Sequence, residues 1–428
     1  MSATDPSCWG INTLAVHAGA SPCPATGARV TPIYQTNGFV FDDLDHGADI
    51  FNLKRAGFSY SRGANPTTAA LERRIALLEG GSGAIAVASG QSALLLIVAT
   101  LCATGDRYVS ANRIFGGSLS LSRRLDQRFG IGVDWADPTP AAIEAAIGPK
   151  TRGIFIESVI NPTGEVVDLP GIAAVARRHR IPLVVDNTLA TPALLRPIEH
   201  GADIVWHSAS KFLAGSGQAI GGVIVDAGRF DFAGDRRFDL ISGPWAEYDD
   251  LVIPEAYPKT AFMTACRLIG LREFGPGMAA TTAFLILMGC ETLPLRMRRH
   301  CENAEALASH LAAHPAVEAV SSPSLPSSPN HNLARAVCPD GLGSVFMVTL
   351  KGGEAAARGA LKNLKLFSHL VNIGETKSLV SHPASTTHRT LTAAERMAFG
   401  ISGGTIRLSV GLEDIADLTA DWDQALAA

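Results

Sequence analysis

Two residues of this 428-residue chain have the type and setting for covalent chemistry. Lys211 follows Ile204-Val205-Trp206-His207-Ser208-Ala209-Ser210, an apolar, strand-like run that delivers hydroxyls and then an amine. Asp186 ends a second apolar run, Ile181-Pro182-Leu183-Val184-Val185. An amine at the end of a buried run is partly desolvated, which lowers its pKa and makes it a nucleophile. A carboxylate in the same setting is costly unless a cation pairs with it. The two stand 25 residues apart (211 − 186), room for one helical crossover, which places them at the ends of neighbouring strands. Pyridoxal phosphate needs that combination, a lysine for its aldehyde carbon and an acid for its ring nitrogen. Taken singly, the lysine also reads as a strand-end side chain reaching solvent, and the aspartate as a cap on the turn Asn187-Thr188.

Other polar residues gather at the same kind of position. Ser89-Gly90-Gln91-Ser92 lies between an apolar strand and a helix. The free N–H groups and positive dipole end of that helix suit a phosphate, although a tight structural turn looks the same. Ser208 and Ser210 flank the lysine and offer hydroxyls to the same phosphate. Phe115, in Ile114-Phe115-Gly116-Gly117, is placed to stack on a cofactor ring or to pack in a core. Arg407 alternates into the apolar strand Ile406-Arg407-Leu408-Ser409-Val410 and needs an anion. A substrate α-carboxylate fits its fork, and so does an internal salt bridge.

The elements that must position these residues follow an alternating pattern. Strands are predicted at Ala84–Ala88, Arg107–Ser110, Gly132–Trp135, Gly153–Glu157, Pro182–Asp186, Ile204–His207 and Val223–Val225. Helical stretches such as Ala93–Leu101, Pro140–Ile147 and Gly171–His179 separate most of them. That alternation predicts an α/β fold with a mostly parallel central sheet covered by helices on both faces. Ligands bind such sheets at the carboxyl ends of the strands, where the residues above lie. The chain divides into an extended N-terminal arm (1–65), an α/β domain (66–289) with an insertion at about 228–262 expected on the surface, and a smaller α+β C-terminal domain (290–428). Strands in the last part are predicted at Phe346–Leu350 and Ile406–Val410, with helices near Ala355–Leu364 and Ala416–Leu426.

Composition narrows the function classes. The chain is 47% hydrophobic with net charge -4, so nucleic acid and membrane surfaces have no electrostatic claim on it. No apolar run approaches the roughly 20 residues a bilayer needs. The seven cysteines are odd in number and form no CxxC, which suits reduced thiols in the cytoplasm and no metal module. The start, Met1-Ser2-Ala3-Thr4-Asp5, shows no signal-peptide pattern. A nicotinamide-binding reading lacks its GxGxxG after the first strand. A silent binding protein that keeps the cofactor is the other class, and intact Lys211, Asp186 and Arg407 speak against it.

Taken together these segments resemble a known family. Val16-His17-Ala18-Gly19, Pro32-Ile33-Tyr34-Gln35-Thr36, Asn65-Pro66-Thr67-Thr68, Ala88-Ser89-Gly90-Gln91, Val185-Asp186-Asn187-Thr188, His207-Ser208-Ala209-Ser210-Lys211-Phe212 and Ser381-His382-Pro383-Ala384-Ser385-Thr386-Thr387-His388 are similar to the cystathionine γ-synthase family of pyridoxal-phosphate enzymes of cysteine and methionine metabolism. The likeness runs from about Thr13 to the C-terminus. It implies the fold type I of PLP-dependent transferases. It also implies roles: Lys211 as the Schiff-base lysine and proton carrier, Asp186 on the ring nitrogen, and Gly90, Gln91, Ser208 and Ser210, with Ser89 beside them, on the phosphate. Tyr60 and Arg62 match a pair that reaches the phosphate in a neighbouring subunit, and the family is typically a homotetramer, a dimer of dimers. Asn161, Ser378 and Arg407 match positions that hold the substrate amino acid.

Departures refine the expectation. The ring-stacking residue is usually tyrosine and here is Phe115, so proton transfers fall more heavily on Lys211. Ser210 replaces a threonine, and Ser216 stands where a larger polar residue is common. Methionine γ-lyases commonly carry cysteine where this chain has Gly117. The insertion and the stretch Lys365–Gly374 look most like the family's O-acetylhomoserine enzymes. The implied reaction is γ-replacement: O-acetylhomoserine plus sulfide, or a small thiol, gives homocysteine, or a thioether, plus acetate. A γ-lyase, or an enzyme using O-succinylhomoserine such as cystathionine γ-synthase, is the alternative on the same scaffold.

Overall fold

The computed structural model describes residues 5–389 and 391–427; residues 1–4 of the predicted arm, including most of the stretch read for a signal peptide, lie outside them. Seven strands form the main sheet: β1 (Gly83–Val87), β2 (Arg107–Ala111), β3 (Gly132–Ala136), β4 (Thr151–Glu157), β5 (Leu183–Asp186), β6 (Ile204–Ser208) and β7 (Gly222–Asp226). Their spatial order is β1-β7-β6-β5-β4-β2-β3. The run from β6 to β3 is parallel throughout. β7 runs antiparallel to both its neighbours.

The apolar runs are continuous because both faces of the sheet are covered. Successive residues feed two different cores: Ala84 and Ala86 face one, Ile85 and Val87 the other. Leu183 and Val185 again face the first, and Val184 the second. Helices Pro66–Glu79 and Gly90–Leu101 contribute one to each core. Both begin on a capped turn, Asn65 accepting from Thr67 N–H and Ser89 from Ser92 N–H.

The segment at 228–262 differs from its expectation. A short two-stranded ribbon, β8 (Pro244–Trp245) with β9 (Leu251–Val252), stands partly open, but Phe232, Phe238, Ile241, Ile253 and Phe262 are buried in the second core. Phe230, Phe232 and Phe238 pack with ring centroids 4.6–5.7 Å apart. Burial of these rings outweighs exposure of the charged residues between them.

A second sheet of five strands has the order β10 (Val317–Ser321), β11 (Val345–Leu350), β14 (Thr405–Ser409), β13 (Leu379–Ser381), β12 (Ser368–His369). Three of these, β10, β12 and β13, carry no sequence signal strong enough to predict. Helices Gly353–Asn363 and Ile415–Ala427 pack on this sheet around the fully buried Trp422. Helix Leu293–Ala313 joins the two units: Leu293, Met297 and Cys301 enter the first core of the large sheet, while Leu307 and Leu311 enter the core of the small one.

The N-terminal arm is short elements on irregular chain. Its helix Ile11–His17 is fastened by the buried Arg74 guanidinium, which donates to the Ala15 and Ala18 carbonyls. Beyond it, Val30, Val40, Phe41, Leu44 and Phe51 are all exposed.

Candidate active site

The carboxyl ends of β4, β5 and β6 open into a cavity of about 230 Å3. Ser89, Gly90, Gln91, Phe115, Asn161, Asp186, Ser208, Ser210, Lys211 and Arg407 all line it, so ten of the thirteen residues singled out in the sequence meet in one place. Glu157, Thr188, Trp206, Ile220, Val371 and Asn372 complete much of the wall.

Asp186 ends β5, and its Oδ1 accepts the Thr188 N–H at 2.9 Å. Burial pushes this carboxyl above its ordinary value, against the pull of the Thr188 hydrogen bonds and the neighbouring His207. No cation pairs with it among the described residues. Behind it lies a buried His207–Glu79 pair (2.6 Å), with Asn187 also donating to Glu79 (2.9 Å). Lys211 leaves the loop after β6, and its Nζ donates to Asn372 Oδ1. Burial first, then the nearby Arg407 charge, pushes the amine below the ordinary lysine range; Glu375 opposes them. Burial and the Arg407 charge both hold back protonation and so favour the nucleophilic amine.

Thr188 Oγ1 receives the Ser208 N–H at 2.8 Å, tying the turn after β5 to the end of β6. Ser210 Oγ is bonded to both the N–H and the carbonyl of Gly221 (3.0 and 3.2 Å). Across the cavity, Gly90 and Gln91 present the first turn of helix Gly90–Leu101, whose leading N–H groups have no partners within the helix.

The roof comes from the small sheet. Arg407 sits mid-strand in β14, 3% exposed, with its guanidinium turned into the cavity. It donates to Asn161 Oδ1 (3.3 Å) and to the Asn372 carbonyl (2.8 Å), while its buried Nε has no partner. No carboxylate pairs with it among the described residues, so an internal salt bridge does not account for its burial. Burial pushes it down to about 10. The 371–376 loop is seated directly on the lysine segment: Gly374 has φ +75°, and a Cβ there would lie 2.7 Å from Phe212 N.

Three expected residues are not in the cavity wall. Ser378 is fully buried, but its hydroxyl donates to Glu413 Oε2 (2.8 Å) and accepts the Gly411 N–H (2.8 Å), which turns it away from the cavity. Tyr60 is about half exposed, and the Arg62 guanidinium lies 5.3 Å from its ring centroid. That pair stands in the arm, outside the cavity.

Among the lining residues without an assigned role in the sequence reading, two are polar groups central to the geometry. Glu157 ends β4 in register with Asp186, and the rule that singled out Asp186, an acid closing an apolar strand, finds it too. Asn372 carries no such signal, because it lies in a loop without periodicity.

The donor set fits pyridoxal phosphate. Asp186 is a carboxyl on the cavity wall with no cation beside it, where a protonated ring nitrogen would pair, and Lys211 is an amine held back from protonation. The helix end at Gly90 and the serines flanking Lys211 would take the phosphate. Phe115 borders the space a ring would occupy.

Comparisons with known proteins agree with this geometry. The family model described as Cys/Met metabolism PLP-dependent enzyme matches residues 12–427. A homocysteine synthase of Schizosaccharomyces pombe is 43% identical over 97% of this chain and 97% of its own. An O-acetyl-L-homoserine sulfhydrylase of Leptospira meyeri is 41% identical over 97% of this chain and 96% of its own. A crystal structure from Campylobacter jejuni, provisionally assigned as an O-acetylhomoserine (thiol)-lyase and containing a pyridoxyl-lysine monophosphate, superposes with a TM-score of 0.94. It shares 34% identity and covers 98% of this chain and 100% of its own.

Proposed function

The chain belongs to the Cys/Met metabolism PLP-dependent enzyme family, and from that premise we propose that it catalyses γ-replacement on O-acetylhomoserine. Sulfide or a small thiol is the acceptor, and homocysteine or a thioether and acetate are the products. The observation that carries the reading is the meeting of Lys211, Asp186 and an unpaired Arg407 in one cavity. The relatives' names supply the ester and the sulfur nucleophile.

Bound pyridoxal phosphate supplies an electron sink for carbanion chemistry at the amino acid's Cα. The residues of this chain do the rest. Arg407 receives the α-carboxylate on its free Nε side, and Asn161, bonded to the same guanidinium, holds it in place. Asp186 would pair with the cofactor's ring nitrogen, and Lys211 would hold its aldehyde carbon. The Lys211 amine, held back from protonation, is the group placed to take the Cα proton and to return protons later. Phe115 has no hydroxyl to share that task, so Lys211 is the main proton carrier. The Cγ–O bond breaks to release acetate and a Cγ–S bond forms. The 371–376 loop covers Lys211 and keeps water from competing with sulfide.

Gly117 favours replacement over the lyase reading. A Cβ there would lie 2.4 Å from the Phe115 ring and 2.8 Å from the Gln91 amide, so a cysteine at 117 does not fit beside Phe115 as placed.

Tyr60 and Arg62, outside their own cavity, suit a second copy's phosphate, and the exposed apolar arm suits its surface. The reading therefore includes a homo-oligomer, a dimer of dimers, working in the cytoplasm. The buried Cys23, Cys102, Cys266, Cys290, Cys301 and Cys338 are free thiols, in keeping with that compartment. Among the described residues no helix is long and apolar enough to cross a membrane, and no cluster is placed to hold a metal.

The test is product analysis with O-acetylhomoserine, with and without sulfide, and with the succinyl ester in parallel. Homocysteine and acetate that appear only with sulfide, and faster from the acetyl ester, are expected. A 2-oxo acid and ammonia as the main products in the presence of sulfide would overturn the reading.

A further inference from the structure

Glu157 is a buried acid that the reaction above does not use. It is 4% exposed at the end of β4, directly beside Asp186 on β5, and both side chains face the cavity. No cation pairs with it among the described residues. A carboxyl kept in that position needs a compensating role, since burial and the adjacent acid both oppose its charge.

Its two oxygens are each engaged by a different loop. Oε1 accepts the Phe115 N–H at 2.6 Å. Oε2 accepts the Asn161 N–H at 2.9 Å. Phe115 opens the helix Gly116–Phe129 after β2, and Asn161 lies on the turn after β4, so neither amide is otherwise fixed by sheet hydrogen bonds. One of these loops carries the ring that borders the cofactor space. The other carries the amide that holds Arg407.

We propose that Glu157 is a positioning residue: its carboxyl grips the backbone of Phe115 and Asn161 together, and so sets the ring stack and the Arg407 carboxylate site relative to each other. The inference rests on the cofactor occupying this cavity, and not on which ester or thiol the enzyme uses. The grip requires reach and two acceptors. Glu157→Gln keeps the reach but turns an NH2 toward one of the two N–H donors. Glu157→Asp keeps the carboxyl group but is one carbon too short to span both amides.

The test uses both variants as holoenzymes, with three readings: circular dichroism of the bound cofactor's visible band, cofactor dissociation constant, and kcat and KM for the amino acid. Both variants are expected to show a weakened cofactor band and a dissociation constant raised roughly tenfold. In both, kcat/KM falls roughly 10- to 100-fold, as displaced reacting groups produce. A merely structural role would lower melting temperature and leave the visible band of the folded holoenzyme unchanged. Wild-type band, affinity and kcat/KM in either variant overturn the proposal, because then reach or acceptor count does not matter. Wild-type behaviour of Glu157→Asp alone assigns the effect to a carboxyl group beside Asp186, without need of its reach, and likewise overturns the proposal. The first two readings need no amino acid or sulfide, so they stand or fall independently of the substrate assignment.

Discussion

The floor and the roof of the active-site cavity are built on different terms. The floor is the carboxyl edge of the large parallel sheet. Its side chains Glu157, Asp186, Thr188 and Ser210 are each bonded to backbone of an adjoining turn within the same domain. The roof is one strand and one loop of the small sheet. Its central group, Arg407, has only Asn161 and the Asn372 carbonyl, with a buried Nε left over. The floor's side chains are therefore held in place before any ligand arrives, whereas the roof keeps a desolvated charge whose best partner is an incoming carboxylate. Cofactor binding and substrate binding should then be separable by mutation.

The largest effect belongs to the floor. Lys211→Ala is expected to remove the visible absorbance of covalently held cofactor and lower turnover by ~10³-fold or more. Retention of both would break the assignment of the floor as cofactor cradle. Next comes the roof. Arg407→Met should raise KM for the amino acid by roughly 10²-fold, as loss of a buried charge partner does. It should leave the cofactor spectrum intact and the apo-protein no less stable, because an uncompensated buried guanidinium has been removed. If cofactor is lost along with substrate affinity, the two halves are not separable. A smaller effect is expected at Gly117→Ala, whose new Cβ meets the Phe115 ring. A loss of about tenfold in kcat with little change in KM would mark it as a floor defect; a rise in KM alone would place Phe115 with the roof.

The same contrast explains what could be read from the sequence. In the large sheet, strands alternate with helices and point the same way, so the last residue of each apolar run marks the ligand edge. That rule located Asp186, Lys211 and the Ser89–Gln91 turn, and the structure puts them together. The small sheet is mostly antiparallel and its site residues come from mid-strand or from loops, where no end rule applies. Arg407 was legible only because a charge interrupts an apolar strand. Asn372 was not, since β12 has two residues and β13 three, too few to show alternation and fix the loop between them. Ser378 was matched to the substrate site only through the family likeness; in the structure Glu413, distant in sequence, holds its hydroxyl. The aromatic insertion misled for a related reason, because its phenylalanines are buried by packing against each other without a strand or helix period.

The smallest expected effect distinguishes the two sheets by pH. In the large one, burial pushes Glu157 from 4.5 up to about 8 and Asp226 from 3.8 up to about 6. The folded chain then holds protons that the unfolded chain has released, so stability falls as pH rises from the ordinary carboxylate range through about 8. On the small-sheet side, burial pushes His300 and His388 from 6.5 down to about 4. There the unfolded chain takes up protons that the folded chain refuses, so stability falls as pH drops from 6.5 through about 4. Melting of the apo-protein across this range should show both limbs, each group contributing a few kcal/mol at most. Glu157→Gln should flatten the alkaline limb alone, and His388→Gln the acid limb alone. A single substitution that flattened both would mean that the two titrating groups are coupled, and that floor and roof do not answer pH independently.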